Sequence, residues 1–234
     1  MTIKEIQRKL LALGYDLGPS KDDGAWGRLS IAAMKAFQTS KGLEVTGMPT
    51  PSTMAYLDPA GPILSNTVPV WYAEAQRLKG VRETAGKASN PVITGWAKSL
   101  GGWVGRFYKG DDIPWCGLFV AHCLGATLPE EPLPGNPLSA LAWGSFGVPL
   151  TSGHVGAVAV FKRPGGGHVG FYVGEDATAI HVLGGNQSDA VTVARVAKSR
   201  LVGLRWPAKV LPPSRGVRPA PVLRADTPLS ANEA

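Results

Sequence analysis

Asp111-Asp112-Ile113-Pro114-Trp115-Cys116-Gly117-Leu118-Phe119-Val120 and Gly165-Gly166-Gly167-His168-Val169-Gly170-Phe171-Tyr172-Val173-Gly174 decide how the larger part of this chain is read. In the first stretch, Pro114 suits the opening position of a helix, where its missing N–H costs nothing. Asp111 or Asp112 just before it is a good cap, a carboxylate beside the positive helix end. Cys116 then falls in the first turn, where free backbone N–H groups favour thiolate over thiol. Leu118 to Leu124 is almost wholly apolar, which predicts a buried helix. The second stretch alternates: Val169, Phe171 and Val173 share one face, His168, Gly170 and Tyr172 the other. That is the period of a β-strand. The three glycines before His168 leave space around its ring.

A cysteine at a helix start and a histidine at a strand start are the parts of thiol chemistry. The imidazole removes the proton, and helix N–H groups stabilise an oxyanion. Cys116 is the candidate nucleophile and His168 the candidate general base. Cys123, seven residues further along the same helix, is too far from Cys116 to bond to it and reads as a small buried hydrophobe. His122 reads as a packed or surface residue of that helix. His154, in Gly153-His154-Val155-Gly156, repeats the local pattern of His168 without the triple glycine and reads as a strand-edge polar residue. His181 lies on the next predicted strand, Thr178–Leu183, and stays in consideration. His154, His168 and His181 share one sheet region, but no closely spaced ligand pair accompanies them. The expectation is therefore no metal and no cofactor.

Working outward, residues 71–207 begin with helical runs at Trp71–Lys79 and Pro91–Leu100, pass through the Cys116 helix and end in strands. Helices first and strands later predict an α+β domain with an antiparallel sheet. Residues 1–57 form a separate unit of three short helices. Ile3, Ile6, Leu10, Leu11 and Leu13 give helical spacing ended by Gly14. Leu29 to Gln38 carries Ile31, Met34 and Phe37 on one side, and Thr50 to Leu57 is opened by Pro51. Residues 58–70, starting Asp58-Pro59-Ala60-Gly61-Pro62, read as a linker. Residues 208–234 are rich in Pro, Ala and Arg, lack aromatics and read as a flexible tail.

The chain has 234 residues, enough for one large or two smaller domains. Its net charge of +7 favours an anionic partner such as an acidic cell-wall polymer. The basic residues are scattered rather than gathered into a groove, which argues against nucleic acid. Two cysteines give no disulfide framework. No apolar stretch is long enough for stable membrane insertion, and the N-terminus reads as an amphipathic helix rather than a signal peptide.

Leu10-Leu11-Ala12-Leu13-Gly14-Tyr15, Asp23-Gly24-Ala25-Trp26-Gly27, Ala36-Phe37-Gln38 and Gly42-Leu43-Glu44-Val45-Thr46-Gly47 closely resemble the three-helix peptidoglycan-binding domain of many cell-wall hydrolases. The resemblance covers nearly all of residues 3–57. It departs at Arg28-Leu29-Ser30, where the family often has a small residue and then Thr. Leu10, Leu13 and Phe37 read as core. Tyr15, Asp23, Trp26 and Arg28, near the loop, are the candidates for touching glycan or stem peptide.

Trp115-Cys116-Gly117-Leu118-Phe119-Val120 with Gly167-His168-Val169-Gly170-Phe171 resembles the papain-like cell-wall peptidases and amidases of the NlpC and CHAP group. The likeness spans about residues 71–207, including Leu183-Gly184-Gly185-Asn186-Gln187 and Gly203-Leu204-Arg205-Trp206-Pro207. It implies Cys116 as nucleophile and His168 as base. The third residue divides the group: a histidine on the following strand points to His181, an asparagine further along to Asn186. The Gly-Gly pair before Asn186 suggests a tight turn presenting that side chain, and Asn186 is preferred. Gln187 is a further candidate for orienting the ring or completing the oxyanion hole.

Both modules together, without a signal peptide, are similar to modular phage endolysins. That likeness implies a monomer made in the host cytoplasm, released with the help of a holin and acting on peptidoglycan in the periplasm or wall. It implies amide cleavage, either endopeptidase or N-acetylmuramoyl-L-alanine amidase. A secreted antibacterial effector with the same chemistry is one alternative. A non-catalytic wall-binding or virion protein is the other.

Overall fold

The structure is a computed structural model that describes residues 1–58, 68–86, 88–212 and 229–230. These residues divide into two compact units.

The first unit holds residues 1–58 with residues 208–212. Helix α1, Ile3–Ala12, starts at a capping box: Thr2 Oγ1 accepts from the Glu5 N–H, and Glu5 accepts in turn from the Thr2 N–H. Helix α2 spans Arg28–Ser40, and α3 spans Pro51–Leu57 behind the Thr50 cap. Their apolar faces meet in a core of Ile6, Leu10, Leu17, Ala33, Met34, Phe37, Met54 and Leu57.

Two buried glutamines pin the connecting loops. Gln7 donates to Asp23 Oδ1, the Ala25 carbonyl and Ser30 Oγ, and accepts from the Gly24 N–H. Gln38 does the same for the second loop, donating to Thr46 Oγ1, the Met48 carbonyl and Thr53 Oγ1 and accepting from the Gly47 N–H. Gly24 and Gly47 sit at φ +82 and +73, in the left-handed region that favours glycine.

The chain returns to this unit after the second one. The Lys209 carbonyl accepts from the Ile3 N–H, and Leu211 packs on the core. This corrects the reading of 208–234 as a uniformly flexible tail. Composition correctly shows that the segment cannot fold alone, but residues 208–212 add to a core built elsewhere. Most of the expected linker at 58–70 and of the expected tail lies outside the described residues.

The second unit takes residues 68–207 with 229–230. Helices α4 (Val70–Arg77), α5 (Pro91–Leu100), α6 (Gly102–Phe107) and α7 (Cys116–Thr127) come first. Strands β1 (Val148–Leu150), β2 (Val158–Arg163), β3 (Gly166–Glu175), β4 (Ala179–Gly184), β5 (Thr192–Ala197) and β6 (Leu201–Trp206) follow. They form one six-stranded sheet in the order β1-β6-β2-β3-β4-β5, with antiparallel neighbours throughout. The class is α+β, as the order of apolar periodicities predicts.

Helix α7 is buried on almost every side, as its apolar sequence requires. Phe119 packs edge-on against Phe171 of β3 at 6.0 Å, so the Val169–Phe171 face of β3 is the one turned to α7. Trp96 of α5 covers the other flank, 5.9 Å from both Trp115 and Phe119. Trp71 of α4 closes the far end, donating to the Gly156 carbonyl and packing on Trp206 at 5.0 Å. Among the described residues no helix is long and apolar enough to cross a membrane.

Candidate functional site

Cys116 is the first residue of α7, whereas a helix opened by Pro114 would make it the third. The expected cap is also different. Trp115 is the N-cap, at φ −123 and ψ 14, with no side chain capping the end. Its carbonyl accepts the first helical bond, from the Phe119 N–H. Asp111 instead turns away and accepts from the backbone N–H groups of Thr84 and Asn90, tying two loops to the approach of α7. Pro114 therefore delivers the chain to the helix without belonging to it. The consequence favours chemistry: the N–H groups of the first turn are left uncapped by any side chain.

Burial pushes the Cys116 thiol up. The backbone N–H groups of Val169, Gly117 and Cys116 itself point at the sulfur and act in the opposite direction, as does the charge of Arg163. The Val169 N–H is the peptide that joins it to His168, so the sulfur lies against the backbone of the histidine.

His168 is fully buried on β3. Its Nε2 lies 3.0 Å from Gln187 Oε1. The Gln187 amide is oriented by its other end, which donates to the carbonyls of Val182 and Thr192. Oε1 can therefore only accept, and Nε2 of the neutral ring must carry the proton. The lone pair of the neutral imidazole is then on Nδ1.

The amide that meets the ring belongs to Gln187, not Asn186. Asn186 is the pivot of the turn, at φ +57, and Ser188 and Asp189 follow at +53 and +59. His181 is engaged with Asp176 Oδ2 at 2.9 Å, and the same carboxylate takes the Arg195 guanidinium. That cluster closes the β3–β4 turn.

The Gly-Gly pair is also explained differently from a tight turn. A Cβ on Gly184 would lie 2.9 Å from Gln187 Oε1 and 3.1 Å from His168 Nε2. A Cβ on Gly185 would lie 2.5 Å from the Trp115 ring and 2.7 Å from Phe119 Cβ. Both glycines permit close approach, one to the imidazole and one to the start of α7. Trp115 is fixed from the far side by donating to Glu83 Oε1 at 2.6 Å. Of the three glycines before His168, Gly165 makes the hairpin turn at φ +78, Gly165 and Gly166 both face open space, and Gly167 faces Leu141 and the Phe161 carbonyl.

The other histidines have structural partners. His122 stacks on Trp96 at 5.2 Å and faces Glu74, and burial pushes its pKa down. His154 meets Ser152 Oγ at 3.1 Å. Among the described residues no group of three His, Cys, Asp or Glu is placed to hold a metal ion.

In the first unit the four candidate contact residues divide. Tyr15 packs edge-on against Phe37 and shares a hydrogen bond with Ser40. Asp23 accepts from Gln7 and from the Ala25 N–H, and Trp26 lies against the core. These three serve the fold. Arg28 is the first residue of α2 and is exposed. The clamps Gln7 and Gln38 were not among the sequence candidates. Their only signal is a glutamine on an apolar helical face opposite a glycine-containing loop.

No curated protein and no solved structure matches the chain. Residues 2–57 match the family model of a peptidoglycan binding domain. The chain thus carries a peptidoglycan-binding domain at its N-terminus.

Proposed function

We propose that this chain is a peptidoglycan hydrolase whose second unit is papain-like and cleaves an amide bond of the cell-wall peptide. The observation that carries the reading is the place of the Cys116 sulfur, at the uncapped start of α7 and against the His168–Val169 peptide, with the His168 ring oriented by Gln187. The N-terminal domain would hold the enzyme on its polymer and raise its local concentration there. The net charge of +7 favours approach to an anionic envelope. The pairing of modules fits a phage endolysin, made in the cytoplasm and released by a holin.

In this reading the Cys116 sulfur attacks the scissile carbonyl carbon, and its proton passes to Nδ1 of His168. The oxyanion is stabilised by N–H groups at the start of α7, and Gln187 Oε1 holds the imidazolium through Nε2–H. His168 gives the proton to the departing amine as the C–N bond breaks. Water, deprotonated by the same ring, then attacks the thioester. The acid leaves and the proton returns to the sulfur. Purified walls should clear with the wild type and not with Cys116→Ala; equal clearing by both would refute the thiol mechanism.

One observation favours a second reading, a wall-binding protein with an inert thiol: Cys116 is only 5% exposed and burial pushes its thiol up. Iodoacetamide labelling near neutral pH separates the two. Rapid labelling supports the hydrolase, and an unreactive Cys116 the binding protein.

A further inference from the structure

We infer that Arg163 is the anion-recognising residue of this site and holds a free carboxylate of the peptide being cleaved; the inference rests on the hydrolase reading above.

The register of the β2–β3 hairpin places it. Arg163 is opposite Gly166, and Phe161 is opposite His168. Opposed residues of an antiparallel pair leave the sheet on the same face, as do residues two apart on one strand. Arg163, Gly166 and His168 therefore share a face, with the glycine between the guanidinium stem and the imidazole. A Cβ at Gly166 would meet nothing within 4 Å, so the sheet is open there. At Gly167, on the other face, a Cβ would lie 2.8 Å from Leu141. The open floor lies on the side of His168 and Arg163.

The guanidinium is poised for an anion. Its Nε is buried, and among the described residues no hydrogen-bond acceptor meets it. Buried N–H groups of arginine normally find an acceptor. Among the described residues no carboxylate forms an ion pair with Arg163: Glu175 and Asp176 lie at the other end of β3 and are held by Lys198 and by Arg195 and His181. The Arg163 charge also reaches Cys116, where it favours thiolate, so the guanidinium and the sulfur belong to one electrostatic neighbourhood. A planar fork of N–H donors matches a carboxylate better than any neutral group of the peptide. Stem peptides of cell walls carry free carboxylates beside amide bonds.

The test separates recognition from turnover. Soluble stem peptide with its carboxylates free, and the same peptide amidated, are titrated calorimetrically into full-length Cys116→Ala protein, alone and combined with Arg163→Gln or Arg163→Lys. The first unit is common to every protein, so its own binding cancels in the comparison. The free peptide should bind about tenfold more tightly than the amidated one. Arg163→Gln should remove that preference, and Arg163→Lys should keep part of it. Equal affinity for both peptides, no binding of either, or a preference that survives Arg163→Gln would overturn the inference. If the preference follows Arg163 while the wild type cleaves neither peptide nor wall, the hydrolase reading fails and the anion site stands.

Discussion

His168 Nε2 lies 3.0 Å from Gln187 Oε1, and the far end of that amide is fixed by the carbonyls of Val182 and Thr192. An imidazole held in this way has one tautomer available in its neutral form. In the proposed mechanism the pair sets which nitrogen would exchange protons with Cys116, and Gln187 would act through His168 as a positioning residue.

Gln187→Ala should lower kcat on wall substrate by about 100-fold, the scale of general acid–base catalysis, with a smaller change in KM. Asn186→Gly should leave kcat within a few fold, because glycine suits the left-handed turn at φ +57. Kinetics of the two variants on one soluble substrate decide the matter. A large loss in Asn186→Gly with none in Gln187→Ala would return the orienting role to Asn186.

The adjacent glycines should fail in different ways. Gly185→Ala drives a methyl into the Trp115 ring and Phe119, both buried, and overpacking of that kind costs about 1–3 kcal/mol. Gly184→Ala meets only the ends of the Gln187 and His168 side chains, at 2.9 and 3.1 Å. It should cost less stability and more activity, since the ring must shift. Thermal unfolding and wall-clearing rates measured on both variants should rank them in opposite orders.

The α+β class and the two chemical stretches were legible because they depend on periodicity within short segments. Alternation at Val169-Gly170-Phe171 and the apolar run after Cys116 determine one strand and one helix locally. The start of α7 was not legible, because Asp111, a fine cap by type, is taken by the Thr84 and Asn90 N–H groups from a distant loop. The choice of Gln187 over Asn186 depends on where β4 leaves β3, and no local pattern records that. Arg163 was missed for a similar reason. Its relation to His168 exists only through hairpin register, and in the sequence it is one basic residue before a Pro-Gly turn.

Acid should expose the β3–β4 turn first. The Arg195 guanidinium, the Thr178 and Ala179 N–H groups and His181 hold the Asp176 carboxyl far below the usual carboxylate range, against an opposing effect of burial. A carboxyl with a depressed folded pKa stabilises the fold above its unfolded value of 3.8, and that contribution is lost as the pH falls below it. The Tm of the wild type should therefore fall steeply below about pH 4. Asp176→Asn should start from a lower Tm at pH 7 and show a flatter acid limb. An acid limb as steep as that of the wild type would remove Asp176 as its cause.

The first unit offers a separation of fold from wall contact. Gln7→Ala leaves the Gly24 N–H and the Ser30 hydroxyl without their buried partner, which should cost about 2–3 kcal/mol. Asp23→Ala frees the same clamp from its other side and should also lower the Tm. Wall binding would then fall in both variants through loss of the loop. Arg28 is exposed at the start of α2, so Arg28→Ala should leave the Tm within about 0.5 kcal/mol of wild type. If Arg28 touches the polymer, co-sedimentation with purified walls should weaken in Arg28→Ala, and more so at low salt, where a charged contact is least screened. Unchanged sedimentation at every salt concentration would leave the wall-binding face elsewhere on the three helices.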